Sequence, residues 1–207
     1  MKNCPRHRPL APFTEKLGAS GIELLPASAQ AIPWLCALYK TSRLVELLVA
    51  PRCAEQKHAF LGDQFALQYA HFLKTSPKSN YCLIPRGKAP FGRIYFDHSG
   101  RDWLLTDILL RADCRNKGIG SALIRWLQQS VMAAGAEWLN LQVAHNNPRA
   151  LRLYECLCFL ENPASESHFP ASHTAMRWNR DRANSRGNFF QTVREHDEVE
   201  TSAKAWM

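Results

Sequence analysis

The stretch Leu104-Leu105-Thr106-Asp107-Ile108-Leu109-Leu110 passes through Arg111-Ala112-Asp113-Cys114 into Arg115-Asn116-Lys117-Gly118-Ile119-Gly120-Ser121, and this succession decides the fold. The first seven residues are mainly apolar and read as a strand. From Ile119 the period changes. Ile119, Ala122, Leu123, Trp126, Leu127, Val131 and Ala134 recur at three- and four-residue steps, one buried helical face, and Gly135 supplies a stop. Gly118 and Gly120 lie at the junction, where the lack of a side chain lets a ligand approach the backbone. A helix start offers unpaired N–H groups and a partial positive charge, so the junction is suited to an anion. At roughly 1.5 to 3 kcal/mol for each charge-assisted hydrogen bond, a few such bonds anchor a pyrophosphate without a metal. A glycine-rich turn that only caps a helix has the same local composition, so this stretch alone leaves both readings open.

On the N-terminal side, Ile22–Leu25 suits a first strand, and Pro33–Val49 and Ala54–Leu73 suit helices broken at Pro51. Tyr81–Ile84, Phe91–Phe96 and Trp103–Leu110 read as strands joined by Pro85-Arg86-Gly87 and His98-Ser99-Gly100, the composition of hairpin turns. On the C-terminal side Trp138–Val143 alternates as a strand does. Asn147-Pro148 then gives an N-cap and a first-turn proline to a helix with Ala150, Leu151, Tyr154 and Leu157 on one side. Strand, helix, strand, helix in this order implies a parallel crossover beside an antiparallel meander.

The chain has 207 residues, 46% of them hydrophobic, enough for one core. The expected division is an N-terminal extension over residues 1–20, one domain over 21–178 and a charged tail over 179–207. No run approaches the roughly 20 apolar residues of a membrane span, and the basic start leads into prolines and Glu15 instead of an apolar signal core, so a cytoplasmic protein without a membrane partner is expected. The seven cysteines are scattered without C-x-x-C spacing, which points to free thiols and no metal. Net charge is +8, yet the tail carries five basic and five acidic side chains. Arg111, Arg115, Lys117, Arg149 and Arg152 fall near the junction and the following helix, where a phosphorylated ligand would sit. With no helix-turn-helix or RNA-binding signature, nucleic acid is not an expected partner.

Arg115-Asn116-Lys117-Gly118-Ile119-Gly120 resembles the Q/R-x-x-G-x-G/A signature of the GNAT acetyltransferase superfamily. A second match follows in the order and spacing of that family: Val143, Asn147, Ala150, then Leu153-Tyr154-Glu155-Cys156-Leu157-Cys158-Phe159, similar to V-x-x-x-N-x-x-A-x-x-L-Y-E-x-x-G-F. The likeness extends from about Ile22 to Trp178. It implies an α/β (α+β) GNAT fold, a mixed and mainly antiparallel sheet with splayed central strands flanked by helices. Two departures stand out: Asn116 where many members have glycine, and Cys158 in place of the glycine before Phe159. If position 158 needs φ > 0, a cysteine there costs about 1 kcal/mol.

The resemblance implies acetyl-CoA as acyl donor, with its pyrophosphate on Arg115, Asn116, Lys117, Gly118, Ile119, Gly120 and Ser121. Its pantetheine arm is then expected along the backbone of Leu109, Leu110 and Arg111, with Asn147, Arg149, Ala150 and Tyr154 completing the donor site. The implied reaction is N-acetyl transfer to a primary amine of a small molecule or peptide, directly within a ternary complex. An acyl-CoA sensor using the same pocket without catalysis is the alternative. A lysine-like amine is neutral only about once in 10³ molecules at pH 7, so something must take its proton. Asp107 is the candidate for holding a water that does so, against the competing and more ordinary role of partner to a nearby arginine or backbone group. Tyr154 matches the family's proton donor to the departing thiolate, and a core tyrosine at helical spacing is the competing role. Gln64, Gln68 and His71 share one helical face, either a solvated surface or, with Tyr95 and Asp97 opposite, an acceptor pocket. The acceptor itself, and whether the chain is a monomer or homodimer, stay open at this level.

Overall fold

A computed structural model describes residues 22–47, 51, 53–86, 89–163 and 172–179. The expected extensions 1–20 and 179–207 lie outside them, Asn179 apart. Among the described residues, four α-helices accompany a seven-stranded sheet. The helices are α1 (Ile32–Arg43), α2 (Ala54–Thr75), α3 (Ile119–Ala133) and α4 (Pro148–Cys156). The strands are β1 (Leu25–Pro26), β2 (Asn80–Arg86), β3 (Ala89–Asp97), β4 (Asp102–Leu110), β5 (Trp138–Ala144), β6 (Leu160–Glu161) and β7 (His173–Asn179), in the spatial order β1-β2-β3-β4-β5-β7-β6. Every neighbouring pair is antiparallel except β4 and β5, which are parallel. The fold is therefore the mixed, mainly antiparallel α/β architecture that the sequence implies.

Local sequence accounts for the element ends that frame the site. Asn147 caps α4 by accepting from the Ala150 N–H at 3.2 Å, with Pro148 at the first position. Gly135 follows α3 at φ +66°, a backbone state open to glycine at little cost. Two expectations change. The first strand is confined to Leu25–Pro26, because only these residues pair with β2, at Leu83 and Cys82. The first helix ends at Arg43 and tightens into a 3-10 turn over Leu44–Leu47. β7 carries consecutive buried residues, Ala175 and Met176, which breaks the alternation that marks a strand in sequence.

The core fills both faces of the sheet. On one face α3 and α4 bury Leu123, Ile124, Trp126, Leu127, Val131 and Tyr154 against Ile94, Phe96, Trp103, Leu105 and Leu141. On the other, α1 and α2 pack through Leu35, Tyr39, Leu61 and Phe65. Phe72 of α2 meets Tyr95 of β3 edge-on at 5.9 Å, and Tyr95 lies 4.6 Å from Tyr81.

Candidate active site

β4 and β5 pair only from Asp102↔Trp138 to Leu105↔Leu141. β4 continues to Leu110 and β5 to Ala144, so the strands part after Leu105. The cause lies in β4. Its pairing with β3 steps from Tyr95↔Asp107 to Phe96↔Leu105, which leaves Thr106 as the extra residue of a β-bulge. The bulge also reverses the alternation of side chains. Trp103, Leu105, Ile108 and Leu110 all pack toward α3, whereas the successive residues Thr106 and Asp107 both face α2, Thr106 bonded to Ser79 at 3.2 Å and Asp107 to Arg93 at 2.7 Å. Beyond Leu105 the β5-side edge of β4 pairs with no described strand, so its backbone groups, the Leu110 carbonyl taken by Arg115 apart, are left for another extended chain.

The parted strands open toward the start of α3. Arg115 is extended, Asn116 has φ +59° and Gly118 has φ +75°, a loop in which left-handed residues turn backbone N–H groups to one side. Asparagine is among the non-glycine residues that best tolerate this conformation, which explains how Asn116 replaces a glycine. The first helical bond runs from the Ala122 N–H to the Gly118 carbonyl at 2.9 Å. The N–H groups of Ile119, Gly120 and Ser121 therefore form the unpaired first turn of a 15-residue helix.

Gly120 tests whether these residues fit a phosphate. A Cβ built there would meet only Leu153 Cδ2, at an ordinary 3.5 Å. The protein's own packing thus tolerates a side chain at a helical position where glycine costs about 1 kcal/mol relative to alanine. What glycine preserves is open approach to the backbone. Two arginines of the loop are engaged within the chain: Arg115 Nε donates to the Leu110 carbonyl at 2.9 Å, and Arg111 donates to Asp113 at 2.6 and 2.8 Å. The hydrogen bond from Arg111 holds the Asp113 carboxyl down at about 2. Lys117, Arg149 and Arg152 are exposed.

Tyr154 approaches from α4, whose neighbour Leu153 reaches Gly120. The helix ends in a Schellman motif: the Phe159 N–H donates to the Tyr154 carbonyl and the Cys158 N–H to the Glu155 carbonyl, both at 3.0 Å. The accompanying apolar contact is Tyr154 with Phe159, ring centroids 5.6 Å apart, and Gln128 of α3 donates to the Leu157 carbonyl at 2.8 Å. These bonds fix the end of α4 that carries Tyr154, a residue 6% exposed whose hydroxyl bonds no described residue. Burial, with the nearby Asp107 charge adding to it, pushes the Tyr154 phenol up to about 12. It therefore holds its proton at neutral pH, as a donor must.

The motif places Cys158 at φ +66°, the conformation in which glycine is favoured. Cys158→Gly is accordingly expected to raise stability by about 0.5 to 1 kcal/mol, less whatever packing the thiol gives up. Urea unfolding checks this; an unchanged or lower midpoint would show that the side chain contributes more than the backbone loses.

The acceptor-side residues are only partly brought together. Gln68 faces the sheet and accepts from Arg93 Nη2 at 3.2 Å, while Gln64 is half-buried and His71 exposed. Tyr95 is wholly buried, its hydroxyl without a partner among the described residues. Asp97 accepts from the Ser99 N–H at 2.8 Å and closes the β3–β4 hairpin, opposite Leu104 at the far end of β4 from the loop. Arg93 and Thr106 were not singled out from sequence. An arginine inside the apolar run Phe91–Phe96, and the step of three from Leu105 to Ile108, are the signals that mark them.

Comparison with known proteins agrees with this geometry. Residues 43–158, more than half of the chain, match the model of the acetyltransferase (GNAT) family. Thialysine N-epsilon-acetyltransferase of Bos taurus is 36% identical over 70 residues, a match that covers 32% of this chain and 41% of that protein. Among solved structures, the PaiA N-acetyltransferase of Thermoplasma acidophilum, in complex with coenzyme A, superposes with a TM-score of 0.56 at 14% identity over 77% of this chain and 99% of that one. The spermidine N-acetyltransferase of Vibrio cholerae, in complex with CoA and spermine, gives 0.52 at 15% identity over 77% and 96%. These likenesses are of fold. With residues 43–158 matched and with the parted strands and open first turn of α3, the chain belongs to the acetyltransferase (GNAT) family, whose members use acetyl-CoA as acyl donor.

Proposed function

We propose that this chain transfers the acetyl group of acetyl-CoA directly to a primary amine held beside Asp107. The observation that carries the proposal is the parting of β4 from β5 at the Thr106 bulge, with the first turn of α3 following the end of β4 and Tyr154 close enough to Asp107 to feel its charge. Acetyl-CoA supplies the activated acyl thioester. The N–H groups of Ile119, Gly120 and Ser121 hold its pyrophosphate, and the free edge of β4 from Thr106 to Leu110 takes the arm as an added strand would. Asp107 holds the water that removes the amine's proton, and Tyr154 gives its proton to the sulfur that leaves. Cys114 is wholly buried in the core, which supports direct transfer over a route through that thiol.

A lysine-like amine is the acceptor class favoured by the bovine relative, whose name specifies thialysine. The test is to incubate the protein with acetyl-CoA and, separately, thialysine, lysine, spermidine and a short peptide, following CoA release and the acetylated amine by mass spectrometry. CoA release matched one-to-one by acetylated amine is expected. Binding of acetyl-CoA with no product from any of the four would instead favour a sensor.

A further inference from the structure

Arg93 is a charged side chain to which the reaction above gives no part. It sits at the middle of β3 and is only 1% exposed. A buried guanidinium is tolerated only when its charge and donors are met, and here the partners come from two different elements. Nε donates to Asp107 Oδ2 at 2.7 Å, on the bulge of β4, and Nη2 donates to Gln68 Oε1 at 3.2 Å, on α2. The guanidinium carbon lies over the Tyr95 ring, 5.1 Å from its centroid, a cation–π contact that further restrains the side chain. Asp107 keeps 19% of its side chain exposed, and its Oδ1 bonds no described residue. One oxygen is committed to the guanidinium and the other is left for a solvent or substrate proton.

We propose that Arg93 is the positioning residue for the acceptor half of the reaction, tying α2 to the β4 bulge and fixing the Asp107 carboxylate so that one oxygen serves the amine. This rests on the acyltransferase reading above. Lysine is the informative replacement, because it keeps the charge but is a point donor that cannot span Asp107 and Gln68 together. Arg93→Lys is expected to lower kcat by about ten-fold or more, the scale of a misplaced acid-base group, with the acetyl-CoA KM within about two-fold of wild type. Gln68→Leu, which spares the ion pair, should cost only a few-fold. The decisive comparison is the double variant R93K/D107N. If Arg93 acts through Asp107, the double variant is no slower than Asp107→Asn alone, within about two-fold.

The assay uses thialysine, lysine and spermidine with saturating acetyl-CoA, and calorimetry records acetyl-CoA affinity for each variant. Losses that multiply in the double variant would overturn the proposal, as would an Arg93→Lys protein that turns over like wild type. An Arg93→Lys protein that loses acetyl-CoA binding along with turnover would give Arg93 a role in the fold alone, and would overturn it too. Wild-type protein that binds acetyl-CoA but acetylates none of the three amines defeats the acyltransferase reading, and this inference falls with it.

Discussion

Gly120→Val is expected to weaken acetyl-CoA binding by about 100-fold or more, roughly 2.7 kcal/mol or the loss of one or two charge-assisted hydrogen bonds, without destabilising the protein. The two halves of this result come from one observation. A Cβ at this position meets only the flexible end of Leu153, so the fold accepts the substitution. Valine is also a better helix former than glycine, which offsets any crowding. A ligand lying on the first turn of α3 would meet the branched side chain directly. Arg115→Ala is expected to act more mildly, because the Arg115 guanidinium already donates to the Leu110 carbonyl and so shapes the loop more than it neutralises charge. Calorimetry on the folded variants separates these cases. Unchanged affinity in Gly120→Val would remove the pyrophosphate from this helix start.

The second large effect concerns Tyr154. Tyr154→Phe is expected to lower turnover by ten- to about 100-fold, the contribution of one acid-base group, with little change in acetyl-CoA affinity. The substitution suits the purpose because the ring stays. The Schellman bonds of α4 are made by backbone, and the contact with Phe159 needs only the aromatic face, so the helix end should keep its geometry. The phenol is pushed up to about 12, so it remains protonated across the neutral range and its own ionisation should not shape the rate there. Single-turnover measurement, where chemistry limits the rate, decides the matter. Equal rates for wild type and Tyr154→Phe would leave the tyrosine a core residue.

These two residues were legible in the sequence because the structure that presents them is local. The loop and first turn lie within Arg115–Ser121, and the cap and helix of Tyr154 within Asn147–Phe159, spans over which side-chain type, period and glycine placement state the conformation. Even the condition on which a cost at Cys158 depends can be stated from the motif, and the backbone meets it at φ +66°. The acceptor side is different. Asp107 faces α2 only because Thr106 is bulged, and a bulge is a property of the register between β3 and β4, set by strands several residues apart. Gln68 and Arg93 meet across a helix–sheet interface, which no periodicity within α2 describes. The periodic stripe Gln64, Gln68 and His71 is present in the sequence, but packing divides it: Gln68 turns inward to the guanidinium and His71 outward to solvent. Asp97, expected opposite that stripe, has its short side chain drawn into the turn by the Ser99 N–H, a contact local to the hairpin.

The most direct test of the central claim, that the start of α3 holds the pyrophosphate of acetyl-CoA, is to record backbone amide NMR spectra of isotopically labelled protein during titration with acetyl-CoA. The expected result is that the largest shifts fall on Asn116 to Ser121 and on the free edge of β4 from Thr106 to Leu110, with saturation at one equivalent. Shifts confined to another part of the molecule, such as the hollow lined by Trp138, Leu160 and Arg177, or no shifts at all, would contradict it.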